Sequence, residues 1–365
     1  MTDMSYDDFM QLSEHDLVPH LNDFSVLFAQ QFSREKLNHL CRVADAARHI
    51  RRTSAGADFL AGLLKHYSVL NFFVQPSSRT FLSFCTAESM LGMRRLSVRD
   101  INISSIAKGE SLSDSIHTFI SYVDLVVMRH PEDDSGVDAF WTTLKSHRRL
   151  TLKGEKCPIP IISGGSGKKQ HPTQSLLDIY TLERAFKETG GIDGKTIMLV
   201  GDLKRGRTVR SLSYMMKQYK DVSLIFCAPE EYQMESDILK FLDEHEISYK
   251  FANSINEAVA EADAVYMTRI QDEWDSEKKT DGSHTAAKED FIFTMENLKQ
   301  MKEHAALLHP LPKRDEIEKE IDYCDDERVY YWRQERNGMW MRVALIAWLF
   351  KVDEEILNYK LHNRL

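Results

Sequence analysis

The chain has no surplus of positive charge: 47 lysines and arginines stand against 56 aspartates and glutamates, a net charge of −9 at pH 7. That balance argues against nucleic acid as a bulk partner, since phosphate backbones are bound by clustered cations. Cysteine is sparse, five in 365 residues. Cys41, Cys85, Cys157, Cys227 and Cys324 are scattered and odd in number, and no CxxC or Cys/His spacing implies a metal or redox pair. Free thiols in a reducing cytoplasm are the simplest reading. No apolar run is long enough to span a bilayer, so no membrane association is expected. The opening MTDMSYDDFMQLSEHDL is acidic and polar, unlike a signal peptide. There is no internal repeat and no long low-complexity linker. What is present, 42% hydrophobic and 28% charged residues, suits a soluble globular protein, and the length predicts two domains.

Short apolar runs alternate with helical patterns. SVLNFFV (68–74), DLVVMRHP (124–131), CPIPIISGG (157–165), KTIMLVGDL, VSLIFCAP, DAVYMTRI and ALLHPLP read as strands. Helical spacing appears behind a possible Ser33 cap, after Arg79, from about Thr173, and around 208–219 and 235–244. The pattern predicts an α/β protein with parallel sheets flanked by helices, where ligands bind beyond the carboxyl ends of strands. MWMRVALIAWLF (339–350) is apolar nearly all round and predicts a buried helix. Gln271–Asp290 is the most loop-like stretch, either a lid or a solvated surface loop.

QPSSRTFLSF, from Gln75 to Phe84, sits between a strand and a helix. Ser77, Ser78, Arg79 and Thr80 thus fall at a helix N-terminus, where free N–H groups and the dipole favour an anion. A turn with a helix cap explains Pro-Ser-Ser equally well. The company it keeps separates the two readings. Arg79, Arg129, Arg207 and Arg269 each follow or close an apolar strand, and His171 and Gln174 open a helix in HPTQ. One such Arg is readily a salt bridge. Four with a His describe a pocket for a phosphate and one or more carboxylates.

Common alternatives fail. GGSGKKQ (164–170) resembles a phosphate-binding glycine loop, but Ile162 stands where its first Gly belongs and Lys169 replaces the metal-binding hydroxyl. GDLKRG lacks the GxGxxG spacing of a dinucleotide fold. No His/Glu pair has hydrolytic zinc spacing. The site reads as working without metal or cofactor, by positioning and positive charge.

QPSSRTFLSF resembles the Ser-Thr-Arg-Thr signature of the aspartate/ornithine carbamoyltransferase family. The likeness continues in order through AKGESLSDSI, VVMRHP, HPTQSLLDIYTL, MLVGDLKRGRTVRSL, AVYMTRIQ, LLHPLPKRDEI and YYWRQERNGMWMRVALIAWLF. It covers most of the chain from about Phe32 to Phe350. HPLP and MTRIQ resemble the aspartate-using members, whereas ornithine enzymes usually carry Cys at the position of Pro310.

The resemblance implies a carbamoyl-phosphate domain over 1–171, completed by a C-terminal helix 339–365, and an amino-acid domain over 172–338, with the site in the cleft between them. It implies transfer of a carbamoyl group from carbamoyl phosphate to L-aspartate, in pyrimidine biosynthesis. Ser77, Ser78, Arg79 and Thr80 would hold the phosphate, with Arg129 bridging phosphate and carbonyl oxygen and His171 donating to that oxygen. Gln174 and the carbonyls of Pro310 and Leu311 would orient the carbamoyl amide. Arg207 and Arg269, helped by Gln271, would grip the aspartate carboxylates. Lys108, and by the same token Ser104, would reach a neighbouring subunit's site within a homotrimer. A higher assembly with a regulatory chain or a dihydroorotase stays open.

Departures accompany the match. Gln75 stands where the aspartate enzymes usually have Glu, Ser78 replaces Thr, Phe81 replaces Arg, and Ala107 replaces a second Lys. The segment before Phe32 and the stretch between Pro131 and His171 are longer than a minimal member needs. Two other readings therefore stand beside the first: a different acceptor amine, or a catalytically silent scaffold. The scaffold predicts decay of the phosphate cluster, which is intact.

Overall fold

The apolar run after Tyr67 forms β1 (Ser68–Phe73), buried from Val69 onward. The computed structural model describes residues 4–21, 23–99, 109–151, 159–167, 169–271 and 289–363. The strands that follow are β2 (Arg94–Val98), β3 (Leu125–His130), β4 (Ile161–Ser166), β5 (Thr196–Val200), β6 (Ser223–Cys227), β7 (Ser248–Ala252), β8 (Ala264–Met267) and β9 (Ala306–Leu308). They make two parallel sheets, ordered β2-β1-β3-β4 and β7-β6-β5-β8-β9, with helices on the connections. The protein is thus α/β, as the alternating pattern implies.

β2 and β7 had no apolar signature. RRLSV and SYKFA lie at sheet edges and are largely exposed, so burial does not demand an apolar sequence there. The central strands, buried on both faces, are the ones the sequence announces.

The chain divides into two compact units, 1–176 with 338–365, and 177–337. In the first, Leu70, Phe72, Val126, Met128 and Ile161 pack with Phe9, Leu17 and Phe140. Val26 bridges in parallel to Ile162, so the chain before the first long helix lies along β4. In the second, Met198, Val200, Ile225, Val265 and Leu307 share a core with Phe293 and Tyr331. The apolar C-terminal run belongs to the helix Tyr331–Leu349, where Met341 and Val343 through Ala347 are fully buried or nearly so. Among the described residues no helix is long and apolar enough to cross a membrane. Cys85, Cys227 and Cys324 are free thiols, and burial pushes the Cys227 thiol up to about 12.

Both sheets have a switch point. The chain goes from β1 to β2 on one side, then returns to place β3 on the other. In the second unit β6 and β7 lie on one side of β5, and β8 and β9 on the other. The crevices beyond β1/β3 and β5/β8 are where such sheets receive ligands.

One buried group has a measurable consequence. Glu88, in the helix Ser78–Met90, is fully buried against Asn71 of β1, whose Nδ2 donates to Glu88 Oε2 at 2.8 Å. Burial raises the Glu88 carboxyl to about 7, only partly offset by Asn71 and the charge of Arg95. Glu88 Oε1 and Asn71 Oδ1 have no hydrogen-bond partner among the described residues, which suits a protonated acid. A carboxyl raised on folding binds its proton more tightly in the folded state. Its cost to stability is therefore absent below the unfolded value and grows as pH rises towards 7. Glu88→Gln removes that cost and keeps an acceptor oxygen for Asn71 Nδ2. The variant is expected to gain less than about 1 kcal/mol at pH 5 and about 3 kcal/mol at pH 8 in urea unfolding. Equal gains at both pH values would show that Glu88 is already ionised in the fold.

Candidate active site

In the first unit the chain leaves β1, turns through Gln75 and Pro76, and enters the helix Ser78–Met90. Ser77 is the N-cap residue in extended geometry, φ −162° and ψ 108°, yet its side chain makes no capping hydrogen bond. The simple-cap reading of Pro-Ser-Ser is thereby removed: a cap would commit its hydroxyl to a first-turn N–H. Ser78 and Arg79 occupy that first turn, and Thr80 is buried beside them.

Arg129 sits opposite Phe73 in the β1/β3 register. Its carbonyl accepts from Val74 N (3.1 Å) and Gln75 N (3.2 Å), which fastens the turn to β3. Its Nη1 donates to Gly164 O at 2.8 Å, which fastens β4 as well. Gly164 packs close to the cluster: a Cβ there would meet Thr80 Cγ2 at 3.4 Å and the Phe73 ring at 3.5 Å, ordinary van der Waals contact. Beyond β4, His171 (4% exposed) and Gln174 (7%) flank the start of the helix Pro172–Ala185. Thr173 Oγ1 lies 3.4 Å from His171 Nδ1. Neighbouring His130 has its pKa lowered by burial, and its Nδ1 accepts from Glu132 N at 3.2 Å. The unit thus gathers Ser77–Thr80, Arg129, His171 and Gln174 at the carboxyl ends of β1, β3 and β4.

In the second unit Arg207 begins the helix Arg207–Met215 after β5. The turn before it starts at Gly201 (φ +108°), where a Cβ would fall 2.1 Å from Thr268 O, so only glycine lets β5 and β8 end this close. Thr268 answers by donating both N and Oγ1 to Val200 O, each at 2.8 Å. Arg269 and Gln271 follow directly. Arg269 Nη1 donates to Ile270 O at 2.9 Å. Asp202, fully buried, accepts from Gln271 N (3.0 Å), Arg205 N (3.0 Å) and Arg205 Nε (2.8 Å). One carboxylate therefore ties the Arg207 turn to the Arg269–Gln271 segment.

Pro310 and Leu311 follow β9. Leu311 has φ +54°, and its N–H donates to His309 Nδ1 at 2.8 Å. His309 Nε2 bonds Glu316 Oε1 at 2.7 Å, and His309 N donates to Gln334 Oε1 at 2.8 Å. Burial would raise the Glu316 carboxyl, but the His309 hydrogen bond brings it below its ordinary value. Gln334 Nε2 in turn donates to Asp178, which also accepts from Tyr266 OH. Asp178, Asp202, Gln334 and Glu316 were missed in the sequence. For Asp178 and Asp202 the available signal was a charged residue within an apolar pattern, SLLDIYTL, or directly after a strand-end glycine; Glu316 and Gln334 lie in polar stretches that carry no such signal. Ser104, Lys108, Lys168 and most of the Gln271–Asp290 stretch lie outside the described residues.

Each unit thus carries a cationic cluster at the switch point of its own sheet. Residues 25–184 match the carbamoyl-P binding domain, and residues 193–349 the Asp/Orn binding domain, of aspartate/ornithine carbamoyltransferases. The chain belongs to that family. Among family members, aspartate carbamoyltransferase 1 of Pisum sativum, a chloroplastic protein, is 40% identical over 88% of this chain and 77% of its own. The structure of aspartate transcarbamoylase from Trypanosoma cruzi with carbamoyl phosphate and aspartate superposes with a TM-score of 0.75 at 34% identity. That match covers 91% of this chain and 98% of the other. A further structure of the T. cruzi enzyme holds N-(phosphonacetyl)-L-aspartic acid, with a TM-score of 0.73 at 33% identity over 91% and 96% of the two chains.

Proposed function

We propose that the protein transfers the carbamoyl group of carbamoyl phosphate to the amine of L-aspartate, giving N-carbamoyl-L-aspartate and phosphate in pyrimidine biosynthesis. The observation that carries the reading is a helix start whose N-cap Ser77 commits no hydroxyl to capping, with Arg79 in its first turn and Arg129 fastened to the turn before it, an arrangement suited to a phosphate. The second cluster, Arg207, Arg269 and Gln271, suits a dicarboxylic amino acid. A diamine acceptor, cationic at neutral pH, would be repelled by two guanidinium groups.

The reaction asks little covalent chemistry of the protein. The deprotonated α-amine attacks the carbamoyl carbon, a C–N bond forms and the carbonyl oxygen becomes an oxyanion. The C–O bond to phosphate then breaks, and the departing phosphate takes the amine proton. Ser77, Ser78, Arg79 and Thr80 hold the phosphate and pair its growing charge. Arg129 and His171 serve the oxyanion, and Gln174 with the carbonyls of Pro310 and Leu311 orients the NH2. Donors preorganised for an oxyanion are worth about 3–4 kcal/mol each. By family resemblance, Ser104 and Lys108 serve a neighbouring subunit's site in a homotrimer. The free thiols fit a cytoplasmic setting.

Assay of the full chain with carbamoyl phosphate and a panel of amines is expected to show carbamoylation of L-aspartate and none of L-ornithine. N-(phosphonacetyl)-L-aspartate joins both substrates' charges. At 1,000 times its Kd it is expected to stabilise the fold by about 4 kcal/mol, read as a rise in thermal midpoint. No shift, together with no turnover on aspartate, would overturn the reading. Turnover on another amine alone would move it to that acceptor.

A further inference from the structure

The residues ahead of the family match have a fixed place in the first unit. The match begins at residue 25, and the helices Tyr6–Met10 and Glu14–Leu21 precede it. Each has a serine at its start: Ser5 Oγ accepts from Asp8 N, and Ser13 Oγ from Asp16 N, both at 3.2 Å. Their apolar residues Phe9, Leu17 and Leu21 are buried in the core that holds Leu70 and Met128. Phe9 lies against Trp141 with ring centroids 4.7 Å apart. Anchored in this way, the segment presents one carboxylate to the interior.

That carboxylate is Glu14. Its Oε2 accepts from Gln30 Nε2 at 2.8 Å and from Gln170 Nε2 at 2.5 Å. Gln170 Nε2 also donates to Gln30 Oε1 at 2.8 Å, and Gln170 Oε1 accepts from Ala29 N at 2.8 Å. Every polar atom of the Gln170 side chain is thus bonded to residues 14–30. Gln170 is 4% exposed, and the next residue is His171. Lys169, on its other side, is paired with Asp134 at 2.7 Å.

We propose that Glu14 is a positioning residue for carbamoyl transfer: by holding Gln170, it fixes the backbone that enters His171 and so the aim of the imidazole. The inference rests on the role given above to His171. Without the Glu14 carboxylate, one amide N–H of buried Gln170 and one of half-buried Gln30 lose their acceptor, and Gln170 Nε2 keeps only its bond to Gln30 Oε1. The buried Gln170 amide replaces the lost bond by turning, and Gln170 shares a peptide bond with His171. Small displacements of a reacting group have large kinetic effects. A segment that only fastened the N-terminal helices would instead show its loss in stability.

The test compares Glu14→Ala and Glu14→Gln in the full chain. Glu14→Gln keeps an acceptor oxygen for Gln170. Glu14→Ala is expected to lower kcat about tenfold with both KM values within about twofold, and Glu14→Gln to recover most of the loss. A wild-type kcat in Glu14→Ala would overturn the proposal. So would a parallel loss of thermal midpoint and affinity for both substrates with kcat per folded molecule unchanged. Hydrogen exchange at the Gln170, His171 and Thr173 amides, without substrate, reads the brace independently of activity. Glu14→Ala is expected to speed it about tenfold and Glu14→Gln to leave it unchanged. If exchange responds but the wild-type chain does not turn over aspartate, the functional reading fails while the brace stands. Unchanged exchange overturns the brace.

Discussion

Arg79→Ala abolishes turnover, with kcat/KM for carbamoyl phosphate lowered about 10³-fold or more, while the fold stays intact. Arg79 lies in the first turn of the helix Ser78–Met90, half-buried rather than in the apolar core. In the proposed reaction the leaving phosphate gains charge as the C–O bond breaks. A guanidinium gives two parallel charge-assisted bonds to such a group and needs no reorganisation when the charge appears. Truncation removes both bonds and leaves the charge to the serines and the helix N-terminus. Arg79→Lys keeps the charge but loses the fork, so it recovers only part of the rate. Steady-state kinetics with matched thermal midpoints check this. Near-normal activity in Arg79→Ala would remove the phosphate assignment.

The second large effect falls on His171. His171→Ala is expected to lower kcat about 10²- to 10³-fold, the cost of one oxyanion donor, with a smaller change in KM for carbamoyl phosphate. The split follows from the chemistry. The ground-state carbonyl oxygen carries little charge, whereas the tetrahedral oxyanion carries nearly a full one. A donor aimed at the latter acts mainly on the chemical step. His171 is almost fully buried at the start of the helix Pro172–Ala185, so its position is set before substrate arrives. A rise in KM with kcat unchanged would make His171 a ground-state binding residue instead.

The candidate site was legible in the sequence to the extent that it is local. Ser77–Thr80 fall at a helix start because an apolar strand ends and a helical pattern begins there. Arg129, Arg207 and Arg269 were marked by the strands before them. The structure sharpened this by showing that Ser77 does not cap its helix and that each cluster lies at a switch point of its sheet. Strand order is not written in any one segment: β2 and β3 both neighbour β1, yet nothing within RRLSV or LVVMRH says so.

The polar supports were hidden for the same reason. Asp202 reaches Gln271 across 69 positions and Glu14 reaches Gln170 across 156. The sequence by itself determined the class of fold, the ends of the central strands and the cationic, hydroxyl-rich chemistry waiting there, because periodicity and burial are properties of neighbours along the chain. Only the tertiary structure decided which side of each sheet a strand joins and which carboxylates reach Gln170 and Gln271. A hydrogen bond depends on distances of a few ångströms in space, and the folded backbone alone sets those between residues so far apart in sequence.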